Sequence, residues 1–120
     1  MAIHVFGVEV SFTTQLLDLE LTEFENRVKL SATEGAVNDN PFPFSPEEIT
    51  PELVAQSEAL GKSFAEKIIY DAGDEIRAKS LVSALGPVIT GEGALARFSF
   101  HPGYHQGQVY LIRQSPDFPK

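Results

Sequence analysis

The chain has 120 residues, 17 acidic and 9 basic side chains, a net charge of −8, and neither cysteine nor tryptophan. That length suits one compact domain, and the lack of cysteine excludes disulfides, thiolate metal sites and cysteine nucleophiles. No apolar run nears the roughly 20 residues that span a bilayer. The opening Met-Ala-Ile-His-Val-Phe lacks the basic-then-apolar order of a secretory signal, so a cytoplasmic protein with no membrane insertion is expected.

The first segment, Ile3 to Phe12, reads as a strand. Ile3 and Val5 alternate with His4, and Val8, Val10 and Phe12 alternate with Glu9 and Ser11. The two runs are out of phase across Phe6-Gly7, where a bulge would restore a common face. Residues 15–33 fit two patterns. Leu17, Leu21, Phe24 and Val28 have helical spacing, whereas Leu17, Leu19, Leu21 and then Val28, Leu30, Ala32 alternate with polar residues. The alternation uses more of the apolar residues and predicts a hairpin turning at Glu25-Asn26.

Residues 34–51 form a connection rich in Gly, Asn, Asp and Pro, in which Phe42 and Phe44 either pin the loop to the core or are presented to a partner. Ser45-Pro46-Glu47-Glu48 and Thr50-Pro51-Glu52 are successive helix-start signals. They predict a short turn and then a long helix with Leu53, Ser57, Leu60, Phe64 and Ile68 on one face. Gly61 within it marks a close approach of another element. Gly73-Asp74 ends that helix and caps a second, from about Glu75 to Leu85, stopped by Gly86-Pro87. Ala94, Ala96, Phe98 and Phe100 then alternate, and Val109-Tyr110-Leu111-Ile112 is a continuous apolar run. A C-terminal hairpin is predicted, with a long loop from His101 to Gln108 and a loose tail over 115–120.

The expected fold is therefore α+β within one domain, residues 1–114. A small antiparallel sheet, from the N-terminal strands and the C-terminal hairpin, packs against a helical middle segment.

The charge is polarised. Residues 1–60 hold eleven acids against Arg27 and Lys29, a balance of −9, while residues 61–120 balance at +1. Such a field disfavours direct contact with nucleic acid, because neutralising phosphates takes clustered Lys and Arg. An acidic face that meets a basic protein patch fits, as does mimicry of nucleic acid.

Motifs for catalysis are missing from the sequence. Gly61-Lys62-Ser63 lacks the leading glycine of a phosphate loop, and Gly91-Glu92-Gly93 lies between a helix stop and a strand, the reverse of a dinucleotide fingerprint. Asp71, Asp74 and Glu75 around Gly73 lack the ligand spacing of a calcium loop and read as helix ending and capping. His101 and His105 are four apart, but Pro102-Gly103 between them assigns the pair to a loop. A third ligand would have to come from elsewhere, with His4 or a carboxylate as candidates. No metal and no cofactor are assigned.

The leading expectation is a non-catalytic protein-interaction module: an assembly subunit, or a small regulator or inhibitor. Its contacts would be Phe42, Phe44, Glu47 and Glu48, two aromatic anchors beside an acidic rim, meeting a protein partner or a second copy. The alternative is a small-molecule or metal-binding domain with its site at His101, Tyr104 and His105. The third is an acidic nucleic-acid mimic.

Overall fold

A computed structural model describes residues 1–119, the side chain of Asp71 excepted. In chain order the elements are α1 (Ala2–Leu17), α2 (Glu23–Leu30), α3 (Pro51–Asp71), α4 (Asp74–Ala78), β1 (Ser80–Val82), β2 (Val88–Thr90) and α5 (Gly91–Arg113). The class is α+β, with five helices and one antiparallel two-stranded sheet among the described residues. The sheet lies elsewhere than expected. It pairs Ser80 with Thr90, Leu81 with Ile89 and Val82 with Val88, and neither chain end contributes to it.

The N-terminal segment is helix α1, not a strand. Ile3, Val5, Val8, Val10, Phe12 and Leu16 are all buried, which spreads apolar contact around the helix circumference. A helix enclosed on every side has no polar stripe to produce a 3.6-residue period, so chance alternation is what remains visible. The phase break at Phe6-Gly7 needs no bulge. Gly7 lies where α1 crosses the end of α2: a Cβ there would collide with Ser31 Oγ and sit 2.5 Å from the Val28 carbonyl oxygen. A second close crossing joins α1 to α3 at Gly61, where a Cβ would lie 2.9 Å from that of Phe6.

The predicted hairpin over 15–33 is instead the end of α1 followed by α2. Thr22 caps α2 by accepting from the Glu25 amide, and its hydroxyl donates to the Glu25 carboxylate. That cap, with Leu21, Phe24 and Val28 at helical spacing, outweighs the alternation. Helix α3 starts as predicted, with Thr50 accepting from the Leu53 amide and Pro51 in the first turn. The second helix is shorter than predicted. It ends at Ala78, and Leu81 and Val82 turn into β1, because the Gly86-Pro87 segment closes a strand pair instead of stopping a helix.

The largest correction is α5. The expected C-terminal hairpin is one 23-residue helix that runs through Pro102-Gly103. Its start is capped by Thr90, which accepts from the Gly93 amide. The core has two parts that share α1. Val8, Phe12 and Leu16 pack with Ile68, Leu81 and Ala94, while Ile3 and Val10 pack with Val28, Phe44 and Phe64. Only the first half of α5 meets this core, through Ala94, Leu95 and Phe98. Val109, Tyr110, Leu111 and Ile112, expected as a strand covered on both faces, lie exposed on its last turns. No helix among the described residues is long and apolar enough to cross a membrane.

Candidate metal centre

Three imidazoles converge where α5 passes the first turn of α1. His101 and His105 are one helical turn apart on α5, so both project from the same face. His4 meets them from α1. Ring centroids lie 4.5 Å apart for His101 and His105, 5.2 Å for His4 and His101, and 5.1 Å for His4 and His105. One ring nitrogen from each lies within 4.8 Å of the other two. These are the three histidines of the chain.

Each of two rings has its outer nitrogen engaged. His4 Nδ1 lies 3.0 Å from the Ser31 carbonyl oxygen. A carbonyl can only accept, so Nδ1 carries the proton and Nε2 is left with a free lone pair. His105 Nδ1 lies 2.7 Å from Gln108 Oε1, which fixes the same tautomer, and Gln108 Nε2 in turn donates to the Tyr104 hydroxyl. His101 Nε2 is 3.0 Å from His105 Nε2. With the His105 proton on Nδ1, His101 must donate across that gap. Outer hydrogen bonds that set tautomer and ring angle are what metal-bound histidines have.

The electrostatics favour neutral rings. Burial pushes the His4 imidazole below its ordinary pKa. The hydrogen bond to Ser31 partly offsets this, and the neighbouring His105 adds to the lowering. His101 is pushed down to about 4, by burial first and then by His105, His4 and Arg97. Neutral imidazole is the form that binds metal.

The cluster borders a cavity of about 440 Å³. Val8 and Phe12 of α1 and Phe100 of α5 supply apolar wall, and Arg97, Tyr104 and Gln108 supply polar groups. Arg97, His101, Tyr104, His105 and Gln108 fall at i, i+4, i+7, i+8 and i+11, one face of α5. That spacing was in the sequence. Pro102-Gly103 hides it by assigning the segment to a loop, and so Arg97 and Gln108 do not stand out from sequence alone.

The other predicted residues are separate from this cluster. Phe44 is 3% exposed and belongs to the second core group, with the Arg27 guanidinium 4.3 Å above its ring. Phe42 is half-buried against the same group. Arg27 also donates to the Pro43 carbonyl and pairs with Glu48 at 2.9 Å. Glu48 accepts from the Ser45 amide, and that bond, then Arg27, holds its carboxyl below the usual range. Phe44 and Glu48 thus hold the proline loop to the body of the protein. Glu47 is exposed. Comparison with protein-family models, curated proteins and solved structures finds no match.

Proposed function

We propose that the chain is a metal-binding domain that takes one divalent ion of the zinc class on His4, His101 and His105. The observation that carries this is the convergence of three imidazoles whose outer contacts turn the lone pairs of two, His4 and His105, inward. Three nitrogen ligands suit zinc, copper or nickel, and zinc bound by three histidines keeps a fourth position for water or a ligand. Here that position would face the cavity. The ion would replace the hydrogen bond between His101 and His105, with the His101 proton moving to Nδ1 at no change in net charge.

Calorimetric titration with zinc, nickel and copper tests the reading. One ion per chain should bind to the wild type, and H101A/H105A should lose that binding by at least a hundredfold. Equal heats in the two proteins would remove it.

Protein contact is the second reading, and one observation favours it. Tyr110 and Leu111 on the last turns of α5 are 65% and 70% exposed, and Val109 and Ile112 beside them are exposed too. Exposed apolar clusters of this kind favour association. Light scattering checks it: a mass above 13.1 kDa that returns to the monomer value in Y110S/L111S supports association through these residues.

A further inference from the structure

Resting on the metal reading, the residues around the cavity point to a class of ligand. The lining contains no Asp or Glu, in a chain that carries 17 of them. It contains one permanent cation, Arg97, which forms no ion pair with a carboxylate among the described residues. Arg97 lies one turn before His101 on the same face of α5. A divalent ion held by three neutral imidazoles keeps its full charge. Metal and guanidinium together therefore leave a strong positive field facing the cavity, with no acidic side chain to balance it.

The remaining wall is mostly apolar, with Phe12 and Val8 buried at its base and Phe100 exposed at its rim. The Tyr104 hydroxyl accepts from Gln108 and finds no acceptor for its own proton among the described residues, so it can donate to an incoming oxygen. Inorganic anions would gain nothing from the apolar wall. A neutral apolar molecule would leave the guanidinium and the metal uncompensated.

We infer that this cavity binds a small organic carboxylate, with one oxygen on the metal, its charge compensated by Arg97, and its apolar body against Phe12 and Val8. Arginine suits the task because its planar fork matches a carboxylate.

The test uses the full chain loaded with cobalt(II), whose visible bands report on the coordination sphere, and three probes: benzoate, benzamide and inorganic phosphate. Benzoate should shift the cobalt bands, and benzamide and phosphate should bind at least tenfold more weakly. R97Q should form the same cobalt bands while weakening benzoate at least tenfold, and R97K should recover part of that loss. Bands that ignore benzoate, equal benzoate affinity in R97Q, or phosphate binding as tightly as benzoate would each overturn the carboxylate assignment and leave the metal site standing. If cobalt bands never form in the wild type, the metal site fails and this proposal fails with it.

Discussion

His4 is buried on α1, and its Nδ1 proton is held by the Ser31 carbonyl. Protonating the second nitrogen would put a charge into a pocket already shared with two other imidazoles. The direction of the resulting pH dependence follows from the depressed values. A histidine that titrates near 6.5 when unfolded and near 4 when folded, as His101 does, contributes fully above 6.5. That contribution is lost as pH falls towards 4. Urea midpoints of the metal-free protein should therefore drop across that window, and the drop should shrink in H101Q. Glu9 has the opposite sign. Burial pushes its carboxyl up to about 7, so the folded chain keeps a proton that the unfolded chain releases near 4.5. Stability from this group is complete below 4.5 and lost as pH rises through 7. Glu9 is only partly buried, and solvent screens the penalty. E9Q should accordingly be more stable than the wild type by about 1–2 kcal/mol at pH 8 and equal to it near pH 4. A denaturation series at the two pH values reads this directly.

Among the elements, α1 and α5 decide whether the site exists. Helix α1 reaches α2 only because Gly7 has no side chain, and G7A would push Ser31 and the carbonyl of Val28 away. Overpacking of this kind costs about 1–3 kcal/mol, which thermal unfolding would register. Helix α5 carries Pro102 in its interior, which has no N–H to donate to the Phe98 carbonyl. P102A should raise stability by at least about 1 kcal/mol without changing zinc affinity, since both histidines keep their places on the same face. The helix start at Thr50 was legible in the sequence because a cap is a local interaction between neighbouring residues, whereas the equally local cap at Thr22 was masked by the apolar alternation on either side of it. The two histidine-bearing elements were not legible. α1 is buried on every side, so no polar face marks its period. α5 mixes apolar and polar residues around its whole circumference and contains a proline and four glycines. The start of this helix is fixed by the Thr90 cap and by the core contacts of Ala94, Leu95 and Phe98. The pair His101 and His105 was visible as a spacing, but its meaning depended on the helix, and the approach of His4 across 97 residues depended on the fold.

Across the molecule, none of the acidic excess reaches the wall of the cavity beside the histidines. The −9 of the first sixty residues includes the exposed Glu47 and Glu52 around the start of α3. The cavity beside the histidines has no acid in its wall. A bound ion would tie the N-terminal turn of α1 to the middle of α5, two elements otherwise joined mainly through the first half of α5. Because only the folded chain brings the three ligands together, zinc should raise the melting temperature, with the increase growing as the logarithm of free zinc. H4A should abolish the increase although it leaves the α5 pair intact. The most direct measurement is X-ray absorption at the zinc edge of the loaded protein. Three imidazole nitrogens at roughly 2.0–2.1 Å plus one oxygen ligand are predicted; two imidazoles or fewer, or a shell of oxygen alone, would contradict the assignment of His4, His101 and His105 as the metal site.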